Sequence, residues 1–338
     1  MNILKYIGRR LLLMVFLLIG ISLFVFLIAN AVPSDPVVAN LSTRNLNNPE
    51  MVAAYKEKWG LDLPLHQQYF TYLKNLLRGD MGVSIRTSRP VLDDLKLYYP
   101  ATFELAFVGI VFAVVFGLLF GILSAIKRNK LTDQVLRSVS VFGVSVPSFW
   151  LALILLNIFY LRLGWFPGPG RLSPKMTPPT LRTNLLLIDS LLDGNFPAFW
   201  DALSHLLLPG ICLGLFTMGL ITRTTRASLL EVLSLDYIRT SRAKGLREKL
   251  VITKHALGNA LIPVITVIGV GFGNLLGGMV FVESIFAWPG IGRYAFQSAQ
   301  NLDFPAIVGV SLVIALNYVV INLIIDILYG VLDPRVRY

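Results

Sequence analysis

The sequence predicts an all-α integral membrane protein of six transmembrane helices, with both termini in the cytoplasm and a small extracytoplasmic segment between the first two spans. Three observations support this fold class. Hydrophobic residues make up 55% of the 338 residues, whereas charged residues make up only 14%. The few charges leave six long uncharged stretches between them. The excess of basic over acidic residues, finally, lies on one side of those stretches.

Each uncharged stretch is long enough to cross a bilayer. A helix needs about 20 apolar residues to span a hydrocarbon core of roughly 30 Å. A helix is also the form required, because lipid offers no hydrogen-bond partners to the backbone of an irregular segment. The six predicted spans are residues 11–31, 105–126, 138–161, 202–222, 256–282 and 304–325.

The first span has a competing interpretation as a secretory signal peptide. Lys5, Arg9 and Arg10 precede an apolar run that ends in "ANA" at 29–31. The run is 21 residues long, whereas the apolar region of a signal peptide has about 7–15 residues. We therefore expect a retained transmembrane helix, with cleavage as the alternative.

The orientation follows from the basic residues. If the N-terminus lies inside, the cytoplasmic parts hold 17 of the 30 Lys and Arg residues and, with Asp326, 6 of the 19 acidic residues. The whole net charge of +11 then lies on the cytoplasmic side, as the positive-inside rule expects. The basic balance therefore does not indicate nucleic-acid binding. The cytoplasmic parts in this orientation are residues 1–10, 127–137, 223–255 and 331–338.

The extracytoplasmic parts contain one foldable segment and several irregular ones. Residues 32–100 are rich in leucine and aromatic residues, which predicts a small folded cap with a helix at Pro49–Trp59 and a second amphipathic piece at 90–99. Residues 162–201 open with "WFPGPG", whose Pro and Gly residues disfavour regular structure. The turn "FAWPGIG" at 286–292 is interpreted as an aromatic anchor at the membrane surface, with a re-entrant element at the outer mouth as the alternative.

Small residues recur at four-residue spacing inside three of the spans, and such spacing allows helix backbones to approach closely in lipid. The pattern leaves open whether these helices pack within one chain or between two subunits. The three rows are Gly269, Gly273 and Gly277; Gly117 and Gly121; and Gly210 and Gly214.

The residues needed for chemistry are scarce. Three histidines and the single cysteine, Cys212, form no metal-binding pair at helical spacing, and the absence of any Gly-Lys dipeptide excludes a phosphate-binding P-loop. We therefore predict no catalytic residue, no metal site and no cofactor bound by this chain. No carboxylate falls at the middle of a predicted span, which disfavours an ion-coupled mechanism.

One cytoplasmic stretch, 237–263, has an unusual composition: six basic residues face the single acid Glu248. Ser234 is a plausible N-cap and Gly245 a plausible C-terminal stop for a short helix at 235–244. The stretch could serve as an anchor to anionic lipid. A capped helix held between two spans is, however, better suited to transmit a push from a docked partner.

Several collinear motifs resemble the dipeptide/oligopeptide/nickel permease family of ATP-binding-cassette importers, over nearly the whole chain. The wider superfamily signature has Glu-Ala-Ala six residues before the glycine, and this chain departs from it at all three positions, which are Arg239, Thr240 and Ser241. The motifs are "RGDMGVSIRTSRPV" (78–91), "DYIRTSRAKGL" (236–246), "HALGNALIP" (255–263), "FVESIFAWPGIGR" (281–293) and "LYGVLDPRVRY" (328–338).

The resemblance implies a permease subunit in a bacterial or archaeal plasma membrane. It implies a second homologous permease, two ATPase subunits that bind the ATP, and an extracytoplasmic solute-binding protein as partners. It also implies an N-terminal addition at 1–100 and a five-helix core at 101–338 with a coupling loop at about 223–259. The residues expected to contact the ATPase are Arg239, Thr240, Ser241, Arg242, Ala243, Lys244, Gly245 and Leu246.

Two other functions remain open. The chain could be an ion-coupled carrier that acts alone, or a membrane-anchored scaffold with no transport path. The solute is also open among dipeptides, oligopeptides, glutathione, nickel chelates and oligosaccharides.

Overall fold

Helices are the only extended regular elements in the described part of the chain. The computed structural model describes residues 3–31 and 48–332, and a single β-bridge there joins Val83 and Pro90. The C-terminal cytoplasmic part, 331–338, lies almost entirely outside the described residues. The helices are α1 Ile3–Ala31, α2 Pro49–Trp59, α3 Leu65–Leu77, α4 Val91–Ile126, α5 Leu131–Ser145, α6 Ser148–Arg162, α7 Leu186–Leu192, α8 Phe196–Leu233, α9 Asp236–Ala243, α10 Glu248–Ala260, α11 Ile262–Leu276, α12 Val280–Ile285, α13 Ile291–Gln300 and α14 Phe304–Leu332.

Four of these helices, α1, α4, α8 and α14, are long and apolar enough to cross a membrane singly. Two further candidates are bent pairs: α5 with α6, at 108°, and α10 with α11, at 57°. The described residues therefore contain four spanning helices, or up to six if each bent pair makes one crossing. The all-helical membrane fold is confirmed, and the count of six spans stays a prediction.

Proline explains both bends. Pro147 directly precedes α6, and Pro263 occupies the first turn of α11. Proline fixes its own φ and pushes the preceding residue away from helical geometry, so a helix tends to end just before it. The predicted third span, 138–161, is therefore a sharply broken pair rather than one straight helix.

The helices α4 and α8 run parallel to each other along a seam of glycines. A Cβ added at Gly214 would overlap the carbonyl oxygen of Gly109. Further along, a Cβ at Gly117 would lie 2.7 Å from Ile221, and one at Gly121 would lie 2.5 Å from Thr225. Side chains at these positions would force the helices apart, so the glycines permit the close approach of the two backbones.

The sequence pattern misplaced the start of α4. The amphipathic piece expected at 90–99 is not separate, since the helix begins at Val91 and continues through Pro100. Proline inside a helix leaves the carbonyl four residues earlier without its N–H donor. Here that carbonyl belongs to Lys96, and the side-chain amide of Asn184 donates to it at 3.3 Å. A contact from a distant loop thus helps the helix to continue across the predicted boundary at residue 100.

The segment after α1 forms two helices that lie against the rest of the chain. Asn48 caps α2 by accepting hydrogen bonds from the backbone of Glu50 and Met51, and Gly60 ends the helix in a left-handed conformation. The helix predicted at Pro49–Trp59 is therefore confirmed. The next helix, α3, contacts α1, and α1 in turn packs along α14.

Candidate functional site

The short helix α9, which the sequence predicts to be cytoplasmic, is attached to the core through one buried side chain. Ile238 is fully buried, whereas most of the rest of α9 is exposed. It lies in an apolar cluster built from the ends of three longer helices, with Ala125 from α4, Leu229 from α8 and Val251 from α10. A displacement of α9 would therefore act directly on the ends of these helices.

Two polar contacts join α9 to α10. The Tyr237 hydroxyl accepts a hydrogen bond from the side-chain amide of Asn259 at 2.8 Å and donates to the carbonyl of His255 at 3.3 Å. The Arg242 guanidinium makes a two-point contact with Glu248, at 2.6 and 3.1 Å. The tyrosine contacts and the ion pair fix two sides of α9 against α10.

The limits of α9 correct one prediction and confirm another. Ser234 is not its N-cap: the residue has helical dihedral angles and its hydroxyl donates to Glu231, so it closes the last turn of α8. The residue before α9 is Leu235, which caps nothing with its side chain. Gly245 has φ of 75°, which favours glycine and ends the helix as predicted.

The predicted partner-contact residues lie together on the surface formed by α9 and the turn after it. Ser241 and Leu246 are half-buried and the others are exposed. Arg239 pairs with Asp236 at 3.2 Å, and both side chains are largely exposed. The result is a small basic surface, defined here as the docking surface and made of Arg239, Thr240, Ser241, Arg242, Ala243, Lys244, Gly245 and Leu246.

The predicted glycine row of α11 lies against α14 of the same chain. A Cβ at Gly269 would overlap the side chain of Ile325, whereas a Cβ at Gly273 would lie at an ordinary 3.4 Å from Tyr318. The nearest side chain to Gly277 is that of Ile314, at 3.7 Å. These contacts place the row inside the subunit, with the closest approach at Gly269.

The opposite side of α11 lines a cavity shared with α8. The cavity has a volume of about 420 Å³ and is mostly apolar. Its polar groups include Thr217 from α8 and Asn274 from α11. Asn274 and Phe216 are both exposed at this wall, so the cavity opens on the surface of the chain. The 57° bend before α11 connects this wall to α10 and through it to α9.

A buried carboxylate joins three helices near α9, and the sequence analysis did not single it out. Asp133 of α5 is fully buried and accepts two hydrogen bonds of 2.8 Å from Arg226 of α8. Ser124 of α4 and the backbone of Asn129 also donate to it. Its position in a basic loop was visible in the sequence, but its pairing with a residue 93 positions away was not.

A second buried acid organises the other end of the molecule. Glu283 is 1% exposed and accepts hydrogen bonds from Thr102 at 2.9 Å and from the backbone of Arg293 at 2.8 Å. Burial raises the pKa of its carboxyl group. The neighbouring Trp288 is fully buried, and its indole N–H donates to the Ala101 carbonyl at 2.8 Å. The interpretation of this turn as an aromatic anchor at the lipid surface is therefore wrong for Trp288, which packs inside the protein.

Comparison with known proteins shows that the sequence matches two protein families. The family described as "Binding-protein-dependent transport system inner membrane component" matches residues 117–338. The family described as "Binding-prot-dependent transport system membrane comp, N-term" matches residues 3–106. The two matches together extend over most of the chain.

Individual relatives are similar over their whole length. The chain is 44% identical to the "Dipeptide transport system permease protein DppB" of Alkalihalophilus pseudofirmus, over 99% of this chain and 100% of the relative. It is 42% identical to the "Probable D,D-dipeptide transport system permease protein DdpB" of Escherichia coli K12, over 96% and 94%. It is 36% identical to the "Glutathione transport system permease protein GsiC" of Escherichia coli O6:H1, over 99% of each chain.

A solved structure shares the fold at low sequence identity. It is described as the inward-facing MetNI methionine ABC transporter, and its chain is 17% identical to this one. The match covers 70% of this chain and 96% of the other, with a TM-score of 0.51. The arrangement of helices is therefore that of a transporter permease chain.

Proposed function

The chain belongs to the family of binding-protein-dependent transport system inner membrane components, and from this premise we propose that it forms half of the pathway by which an ATP-driven importer admits short peptides. It is a multi-pass protein of the inner membrane and a permease subunit of such an importer. The peptide solute is supported by the names of the most similar relatives reported above. The transport experiment below also tests the other solutes of the family.

The observation that carries the proposal is the continuous connection from α9 to the cavity. Tyr237 and Arg242 join α9 to α10. The bend at Leu261 then joins α10 to α11, whose residues Val270 and Asn274 line the cavity. A force on the docking surface is thereby passed to a wall of the pathway without a flexible linker between them.

The partners follow from the same proposal. Two ATPase subunits bind the ATP and push on coupling surfaces, one of which is the docking surface of this chain. A second homologous permease supplies the other half of the pathway, and an extracytoplasmic binding protein delivers the solute. The chain itself binds no ATP and catalyses no reaction. In this scheme its six spans place both termini in the cytoplasm of a bacterium or archaeon. Residues 1–100 are an N-terminal addition to the five-helix core at 101–338.

Uptake by the reconstituted complex tests the function. The full chain, the second permease, both ATPases and the binding protein are assembled in vesicles, and labelled dipeptide uptake is measured with and without ATP on the ATPase side. We expect uptake only with ATP and with both ATPases present. Uptake by this chain alone would show an ion-coupled carrier instead. Hydrolysis by the ATPases in a complex that is sealed to every candidate solute would show a scaffold.

The Tyr237→Phe variant tests the connection itself. Loss of the hydroxyl removes the contacts to Asn259 and His255 without changing volume or charge, so fewer peptides should enter for each ATP hydrolysed. The matched control is Tyr160→Phe, which makes the same change at the exposed end of α6. Equal ratios of uptake to hydrolysis in the two variants would contradict transmission through α10.

A further inference from the structure

Helix α3 has an amphipathic pattern that the proposed function does not use. At 3.6 residues per turn, one half of its circumference carries apolar side chains and the other half polar ones. The apolar half holds Leu65, Tyr69, Phe70, Leu73, Leu76 and Leu77, and one polar residue, His66, lies among them. The polar half holds Gln67, Thr71 and Lys74. A helix of this kind must place its apolar half against protein or lipid.

Only part of the apolar half is covered by protein, and the covering helix is α1. The Tyr69 hydroxyl donates to the carbonyl of Ile19 at 3.2 Å and lies 2.9 Å from the hydroxyl of Ser22. The Phe26 ring lies 5.5 Å from the Tyr69 ring and 5.6 Å from that of Tyr72. The two tyrosines therefore fix α3 against the part of α1 between Ile19 and Phe26.

These contacts define the depth of α3 relative to the end of α1. At a rise of 1.5 Å per residue, Phe26 lies about 8 Å and Ile19 about 18 Å before the end of the helix at Ala31. The whole of 11–31 is uncharged and matches the hydrocarbon thickness of a bilayer. The contacts with Phe26 therefore place α3 below the surface of the leaflet in which α1 ends, whichever side of the membrane that is.

The uncovered part of the apolar half is strongly exposed at this depth. Phe70 is 66% exposed and Leu77 is 81% exposed. The two residues are about two helical turns apart on the same side of α3. On α1 at the same level, Phe24 is 63% exposed. The most apolar window of α1 has only 6% of its residues buried, so this chain leaves most of that apolar helix uncovered. The exposed side of α3 belongs to the same apolar layer.

We propose that α3 lies in the interfacial layer of that leaflet, with Phe70 and Leu77 among the lipid acyl chains and Gln67 and Lys74 toward the headgroups and water. The occupant of the exposed face is lipid, because the face continues the exposed apolar surface of α1, a helix long and apolar enough to span a membrane. An amphipathic helix in this position lies about 5–10 Å into the boundary between headgroups and acyl chains. Phe26 lies at such a depth, and the hydroxyl of Tyr69 reaches deeper along α1, to Ile19. It also braces α1, whose main contacts among the described residues are with α14.

Nitroxide labels measure this placement. In a Cys212→Ala background, Phe70→Cys, Leu77→Cys, Gln67→Cys and Lys74→Cys are labelled in the full importer complex. The complex is then reconstituted in vesicles of phosphatidylethanolamine and phosphatidylglycerol. Collision rates with oxygen, which concentrates in lipid, are compared with those of a water-soluble nickel chelate. We expect the ratio of oxygen to nickel collisions to be several-fold higher at positions 70 and 77 than at 67 and 74.

Two results would overturn the proposal. Nickel collisions at positions 70 and 77 that equal those at 67 and 74 would place the apolar face in water. Immobile labels at 70 and 77 with low collision rates for both reagents would show that another protein subunit covers the face. All four positions are exposed, so the labels are accommodated without disturbing the core, and retained dipeptide uptake verifies that each labelled complex is folded.

Discussion

The side chain of Arg226 in α8 donates two hydrogen bonds of 2.8 Å to the carboxylate of Asp133 in α5. Asp133 is fully buried, and Arg226 is 20% exposed. Ser124 adds the end of α4 to the same carboxylate. One acid thus joins three helices, of which α4 and α8 also contribute to the apolar cluster around Ile238.

Removal of the arginine should destabilise the protein strongly. Arg226→Met leaves the carboxylate of Asp133 buried without its main partner, which costs about 3 kcal/mol. The double variant Arg226→Met with Asp133→Asn should recover most of the loss, because no buried charge is left unpaired. Thermal unfolding of the purified complex measures both, and Arg223→Met on the exposed side of α8 is the control. Additive losses in the double variant would contradict a specific pair.

The two glycines of α11 that lie nearest to α14 should differ in their tolerance of a methyl group. Gly269→Ala places a Cβ against Ile325 and should cost about 1–3 kcal/mol through overpacking, whereas Gly273→Ala has room for the methyl group. Adding Ile325→Val to Gly269→Ala should restore stability. The larger Gly273→Leu should lower complex yield. Thermal midpoints that are equal for the two alanine variants would show that the backbones have room to separate.

The turn after α9 should depend on backbone conformation more than on charge. Gly245→Val forces a β-branched residue into φ of 75° and should uncouple ATP hydrolysis from uptake. Gly245→Asn should retain coupling, since asparagine tolerates this conformation. Lys249→Gln removes one charge nearby and should do less. If Lys249→Gln fails while Gly245→Val behaves as wild type, the stretch is an electrostatic anchor to lipid.

The orientation is tested by labelling with an impermeant thiol reagent in intact cells. In the Cys212→Ala background, Thr177→Cys in the outer loop should react from outside, and Lys244→Cys on the docking surface should react only after the membrane is opened. Both positions are exposed, so access depends on the side of the membrane. A reversed pattern would refute the cytoplasmic placement of α9.

The cavity should need its polar group for transport but not for folding. Asn274→Leu removes an exposed amide from the wall and should lower dipeptide uptake several-fold while complex yield stays unchanged. The control is Asn322→Leu on α14, which makes the same exchange beside α1. Equal uptake in the two variants would place the pathway elsewhere.

The sequence determined the features that depend on local pattern. Uncharged stretches identified the membrane helices, because the length of an apolar run is itself the physical requirement for crossing lipid. Asn48 and Gly60 bounded α2, and Gly245 ended α9, because caps and left-handed turns act within a few residues. The resemblance to a permease family implied the residues of the docking surface, which are consecutive in the chain, and their contact with an ATPase stays a prediction.

Features that join distant residues were decided by the tertiary structure. The pairing of Asp133 with Arg226 and the burial of Trp288 depend on which helices become neighbours, and no local pattern encodes that. The continuation of α4 through Pro100 depends on Asn184, which reaches Lys96 from a loop 88 residues away. Ser234 suits the end of one helix as well as the start of the next. The packing of Ile238 fixes the position of α9, so Ser234 stays at the end of α8.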